Sequence, residues 1–163
     1  MSIDKNQVIQ QIEDILKQNL NDVETRIEPI GVVFTVPMKF TEQANTSPIN
    51  FTCRINDNYV ESFCIMTMDF FDVKVGQEIP VDFYKLMNYI NVTTKGACSY
   101  FFTENALVCS AVTPALQSFD KDVFNFKTYN MIDSVARYTA SFYGVLNGRI
   151  TFEELLKVYQ EQQ

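Results

Sequence analysis

Apolar residues recur along this chain with two different periods, and the period predicts the elements. From Asp4 to Asn21 they return every three or four positions, which is typical of an amphipathic helix. Pro29 and Gly31 interrupt this pattern, and from Val32 to Phe40 every second residue is apolar, as in a strand with one buried face. The first part of the chain therefore predicts a helix followed by a strand.

Two further strands are predicted from Ile49 to Ile55 and from Tyr59 to Phe71. The Asn56 to Asn58 cluster between them favours a tight turn, because these residues tolerate positive φ. Apolar side chains lie on both faces of the Tyr59 to Phe71 strand. This pattern is typical of a central strand covered on both faces, or of an exposed apolar face that a partner covers.

A second helix is predicted from Pro80 to Asn91, since proline suits the first turn of a helix and apolar residues then form one stripe. Two short, strongly apolar segments follow, Ala97 to Phe102 and Ala106 to Val112. The three polar residues between them predict a second hairpin.

A long helix is predicted to begin at Asp120 or Asp122 and to end at Asn147-Gly148. Thr151 and Glu154 match a capping box, which predicts a short last helix. The whole pattern predicts one α+β domain over residues 1–163, with an antiparallel five-stranded sheet in α-β-β-β-α-β-β-α order and helices packed on the sheet.

Composition limits the classes of partner. The chain has 163 residues, 47% of them hydrophobic and 13% aromatic, which is sufficient for one sizeable core. A formal net charge of -7 opposes binding to nucleic acid. The first residues lack the pattern of a secretory leader and no segment has the apolar length of a membrane span, so we expect a cytoplasmic protein without membrane insertion.

The chain contains no histidine, the side chain that titrates nearest neutral pH, so general acid or base catalysis would need a strongly shifted group. The richest carboxylate region is Asp69, Asp72, Glu78 and Asp82, whose spacing matches no calcium loop and fits a strand end and a helix start. We therefore expect neither catalytic residues, nor a metal site, nor a cofactor.

Four cysteines lie in apolar strand patterns, and no C-x-x-C occurs, so buried free thiols are favoured. If each hairpin has a two-residue turn, Cys53 lies opposite Ser62 and Cys98 lies opposite Ala111. Neither hairpin then places two cysteines directly opposite each other.

The order of elements resembles the YbjN family, whose fold is shared with the type III secretion chaperones. The closest local similarity is the stretch Tyr84 to Asn91, followed by Ala97 to Phe102 and Ala106 to Val112. This resemblance implies a small acidic protein that binds other proteins, is often dimeric and has no catalytic residues. The long final helix followed by a second capped helix departs from the usual chaperone pattern.

Three function classes are compatible with these patterns. The favoured one is a protein-binding module, chaperone-like or regulatory, that masks an apolar segment of a partner through the sheet or the first helix. The others are a small-molecule-binding domain with an aromatic-lined pocket between sheet and long helix, and an enzyme of unfamiliar type. Self-association as a homodimer is also expected. The candidate partner-binding residues are Phe63, Ile65, Phe71, Ile9 and Leu16.

Overall fold

The computed structural model of the chain describes residues 3–20, 23–38, 47–115 and 118–162, which form four α-helices and six β-strands. The helices are α1 (Lys5–Asn19), α2 (Val81–Thr93), α3 (Lys121–Leu146) and α4 (Phe152–Glu161). The strands are β1 (Glu24–Glu28), β2 (Gly31–Met38), β3 (Ser47–Ile55), β4 (Tyr59–Thr67), β5 (Ser99–Phe102) and β6 (Ala106–Pro114).

The six strands form one antiparallel sheet in the order β1-β2-β3-β4-β6-β5. The α+β class and the antiparallel sheet agree with the sequence prediction, but the predicted number of five strands is wrong. The additional strand is β1, whose sequence Glu-Thr-Arg-Ile-Glu has a single apolar residue. An edge strand buries little, so it leaves almost no alternating pattern.

Two strand ends also differ from the prediction. The Tyr59 to Phe71 segment is extended only as far as Thr67, and Met68–Phe71 forms a turn of 3-10 helix. Asp72 ends that turn in the left-handed conformation, with φ of 59°. Phe71 is thereby turned into the core instead of continuing the strand. The predicted end of the first strand at Phe40 lies outside the described residues.

One face of the sheet, here called the inner face, is covered by helices. α1 packs on β2 and β3, α3 packs on β6, and α2 packs on β5. Hydroxyl contacts fix α3 along β4: Thr128 Oγ1 lies 3.1 Å from Ser62 Oγ, and Thr139 Oγ1 lies 3.7 Å from Met66 Sδ. The helix therefore runs along the strand direction rather than across it.

Aromatic rings fill the space between these layers. Phe34 and Phe51 stack at 5.2 Å on neighbouring strands under α1. Phe142 of α3 contacts Phe83 of α2 at 5.5 Å and Tyr100 of β5 at 5.4 Å, measured between ring centroids. All but Tyr100 are fully inaccessible, and Tyr100 is 2% exposed. Burial of such large rings dominates the stabilisation of the core.

The last helix lies on α2, outside the two layers. The predicted capping box is confirmed, because Thr151 and Glu154 bond reciprocally at the start of α4. Asp82 of α2 accepts a hydrogen bond from the Phe152 backbone amide at 3.1 Å, and this bond and the neighbouring Lys85 hold the pKa of Asp82 below its usual range. Tyr89 stacks on Tyr159 at 5.7 Å. None of the described helices combines the length and apolarity needed to cross a membrane.

Gly31 provides a test of the turn between β1 and β2. Its φ is +147°, and a Cβ there would lie 1.9 Å from the Cys53 carbonyl oxygen. We expect Gly31→Ala to lower the free energy of unfolding by at least about 2 kcal/mol, because strain and a backbone clash add together.

Gly76→Ala is the matched control for Gly31→Ala, since Gly76 has φ of +80° but open space around it. It should cost only about 1 kcal/mol in urea unfolding. Equal losses for the two variants would contradict the close approach of β2 to β3.

Candidate functional site

The second face of the sheet, here called the open face, has no helix packed on its centre. Alternate residues of a strand point to opposite faces. In β4, Val60, Ser62, Cys64 and Met66 are buried towards the helices, whereas Ile65 is 55% exposed on the opposite side. Every side-chain contact described above between helix and strand involves the inner face, so the open face is available to solvent.

Apolar side chains form a continuous row across three strands of this face. Val108 of β6 lies directly between Ile65 of β4 and Phe101 of β5 in the strand register. Ile65 is 55% and Phe101 is 45% exposed, although Val108 is buried beneath them. Phe63 and the 43% exposed Val112 extend the row along β4 and β6. We name these five residues the open-face patch.

The patch has a polar border on the β3 side. The Arg54 guanidinium carbon lies 5.0 Å from the centre of the Phe63 ring, and its Nη1 lies 3.9 Å from Glu61 Oε2. Ser110 Oγ donates to Glu61 Oε1 at 3.4 Å. On β3, the positions that alternate onto this face carry Asn50, Thr52 and Arg54. An apolar centre with a polar rim is typical of protein-binding surfaces.

Both sheet edges beside the patch are closed by side chains. The Asn91 amide of α2 donates to Tyr100 O at 2.8 Å and accepts from Tyr100 N at 2.6 Å, so both edge groups of β5 are satisfied. β5 pairs with β6 only as far as Ser110, and beyond it Lys127 Nζ donates to Val112 O at 2.7 Å. These contacts hinder addition of another strand.

An open groove of about 520 Å³ lies at the end of the sheet next to the patch. It runs between the 73–79 loop and the β5–β6 turn, and Thr67, two residues after Ile65, lines it. Val75 on its wall is fully exposed. The groove therefore extends the apolar surface that begins at the patch.

The region between the sheet and the long helix is filled rather than hollow. The cavity nearest to the predicted pocket lies between α1 and α3 and measures about 10 Å³. Phe34, Phe51, Phe124 and Phe142 occupy the interior and are fully inaccessible. Ligand pockets usually measure about 300–1,000 Å³, so the structure offers no support for the small-molecule alternative at this place within the described residues.

The five predicted partner-binding residues fall into two groups. Phe63 and Ile65 lie on the open face, and Ile65 is its most exposed apolar side chain. Leu16 and Phe71 are core residues, 2% and 0% exposed, while Ile9 is partly buried against the core. The structure thus brings Phe63 and Ile65 together but places Leu16 and Phe71 away from the surface.

Sequence reasoning missed the contribution of the last hairpin to this surface. Local patterns place Phe101, Val108 and Val112 in apolar strands without assigning them a face. Alternation gives the face of each residue only after the pairing of β6 with β4 is known. The apolarity of both faces of β6 was the available signal.

The cysteines lie in the strand pattern as predicted, and all four are free and buried. Cys53 lies opposite Ser62, which confirms the predicted hairpin register. A second relationship was not foreseen: Cys64 lies opposite Cys109, because the β4–β6 pairing joins two different hairpins. Burial raises the pKa of Cys53 and of Cys64 to about 12.

The carboxylates considered for a metal site have separate roles. Asp72 accepts from the Tyr143 hydroxyl at 2.5 Å, and Asp82 accepts from the start of α4. The described part of the chain contains no group of three His, Cys, Asp or Glu side chains that could hold a metal ion.

Comparison with known proteins does not assign this arrangement to a family. No protein-family model matches the chain. The search of curated proteins also gave no match.

The closed β5 edge can be tested with Asn91→Ala. Removing the amide leaves Tyr100 N and O without partners, so we expect a loss of about 1–3 kcal/mol in urea unfolding and faster aggregation. Asn88→Ala on the exposed side of the same helix is the control. An Asn91→Ala variant as stable as Asn88→Ala would contradict the role of this amide.

The buried thiols predict a loss of stability at alkaline pH. Folding raises the pKa of Cys53 and Cys64 from 9.0 to about 12, so their contribution is complete below pH 9 and is lost as the pH rises towards 12. Between pH 8 and pH 10 each thiol should account for about 1.4 kcal/mol of the decrease.

Urea unfolding at both pH values, with reductant, measures this alkaline loss. Cys53→Ala and Cys64→Ala should each reduce the decrease by that amount, since the other titrating groups remain the same. An unchanged decrease in both variants would show that the thiols do not carry it.

Proposed function

We propose that this chain is a non-enzymatic protein-binding module, chaperone-like or regulatory, that masks an apolar segment of a partner protein on its open face. The observation that carries the proposal is the row Ile65, Val108 and Phe101, which crosses three strands with its outer members about half exposed. Exposed apolar rows of this kind are unfavourable in water unless a partner covers them.

The two closed edges favour recognition by the face over recognition by strand addition. A peptide that joined the sheet beside β5 would have to displace the Asn91 amide from Tyr100. It would also meet the Lys127 ammonium at Val112 O. A segment placed across the open face avoids both of these costs and contacts the patch directly.

The size of the patch indicates the strength of binding. Covering the exposed part of Ile65, Phe101 and Val112 contributes on the order of 1 kcal/mol for each side chain. Association itself costs several kcal/mol. The patch alone therefore supports a weak complex, and a tighter one requires the neighbouring groove as well.

The resemblance to YbjN-like proteins and secretion chaperones agrees with this proposal, since those proteins bind partners with apolar surfaces and have no catalytic residues. The acidic composition directs the proposal towards protein rather than nucleic acid partners. We place this activity in the cytoplasm, and a homodimer through the same face is one form that it could take.

A double variant tests the open face directly. Ile65→Lys/Phe101→Lys places two charges on the patch, whereas Val92→Lys/Val158→Lys places two charges on the exposed helical side, where Val92 is 77% and Val158 is 42% exposed. Each protein is used to capture partners from native lysate, with quantification by mass spectrometry. We expect the partners of the wild type to fall at least tenfold with the patch variant and to persist with the control.

Light scattering of the same three proteins separates a second copy from another protein as the occupant. A dimer that only the patch variant loses would make the second copy the partner. Equal capture by all three proteins, with unchanged oligomeric state and melting temperature, would contradict the proposal.

A further inference from the structure

Three of the four cysteines lie side by side near the middle of β6, on the inner face. Cys64 of β4 and Tyr100 of β5 are the direct neighbours of Cys109, one on each side. Cys98 precedes Tyr100 by two residues and therefore shares its face. The side chains of Cys98 and Cys109 hydrogen-bond each other, which places the two sulfur atoms in contact.

Of these thiols, Cys98 is the one next to a route to solvent. A polar pocket of about 220 Å³ opens between the end of α2 and the middle of α3. Its walls include Thr94 and Ser134, whose side chains hydrogen-bond Cys98. Cys98 itself is only 2% exposed, so the pocket leads to the thiol but leaves room for a very small reagent alone.

The surroundings also divide the roles of the two sulfurs. The hydrogen bond from Cys109, with those from Ser134 and Thr94, holds the pKa of Cys98 below its usual range despite burial. Burial raises the pKa of Cys109 well above its usual range. Since the thiolate is the reactive form, Cys98 is the sulfur prepared to attack and Cys109 the one that remains a thiol beside it.

We propose that Cys98 is a site of oxidation by hydrogen peroxide and that Cys109 resolves it to a disulfide. This property is independent of the open face, because both residues lie on the opposite side of the sheet. The site combines a contacting pair of thiols with a polar access path, which is the arrangement that oxidation-sensitive cysteines require.

The reaction balances with peroxide as the sole oxidant. The Cys98 thiolate attacks one peroxide oxygen, the O–O bond breaks, and the departing hydroxide takes up the proton that the thiol had lost, giving sulfenic acid and water. The Cys109 sulfur then attacks Cys98 Sγ, the S–O bond breaks, and the hydroxyl leaves with the Cys109 proton as a second water. Two thiols lose two electrons and one peroxide becomes two waters.

Cys64 is the competing partner for Cys109, because cross-strand neighbours have Cα atoms within the range of a disulfide. It has no hydrogen bond to Cys98, and burial raises its pKa to about 12. Oxidation that begins at Cys98 therefore leads to the Cys98–Cys109 bond rather than to a Cys64–Cys109 bond.

Peptide mapping of the intact chain tests the proposal. The folded protein is treated with hydrogen peroxide, its remaining thiols are alkylated in denaturant, and the peptides are separated without reduction. We expect loss of two thiols and one crosslinked peptide pair containing Cys98 and Cys109. In Cys109→Ser the sulfenic acid should persist at Cys98 and be captured by dimedone.

Cys98→Ser should lose its thiols at least tenfold more slowly than the wild type, whereas Cys53→Ser should react at the wild-type rate. Circular dichroism establishes that each variant is folded, and the wild-type map decides the outcome if one is not. A Cys64–Cys109 crosslink, dimedone labelling at another cysteine, or resistance of the folded wild type at peroxide concentrations that oxidise its urea-unfolded form would overturn the proposal.

Discussion

The burial of α3 along the centre of the inner face is the contact on which the rest of the structure depends. Its 26 residues make a helix about 39 Å long, longer than the nine-residue strand β4 that it follows, which spans about 30 Å. The excess length lets one helix contact α1 near Phe124 and both α2 and β5 near Phe142. Without α3, the other helices would have no common surface.

The same arrangement explains why one face stays open. Six strands at about 4.8 Å give a sheet roughly 24 Å wide, and three helices at about 8–10 Å separation are enough to cover it once. The fourth helix packs on α2, where Asp82, Lys85 and Tyr89 hold it, and so adds a third layer instead of a second cover for the sheet. The apolar residues of β4, β5 and β6 that point away from α3 are therefore left to solvent.

Local signals in the sequence predicted most of the fold. Alternation identified five strands, and Asp120 and Thr151 marked the starts of α3 and α4 as capping residues. Short-range patterns failed where structure depends on distant residues. β1 has one apolar side chain and exists because β2 offers it an edge, while Phe71 left its strand because Met68 bonds to Asn105 on another hairpin. The patch required the β4–β6 pairing, which local alternation does not encode, so only its Phe63 and Ile65 were anticipated.

Asn91 stands outside the sheet and yet sets its limit. An amide group has the same donor and acceptor as a peptide unit, and here it occupies the place at Tyr100 that the main chain of a seventh strand would take. A helix residue thus imitates one unit of backbone without supplying a new edge behind it. The sheet ends at β5 as a finite object because the group that caps it has nothing further to offer, which distinguishes a discrete fold from a structure able to grow by repetition.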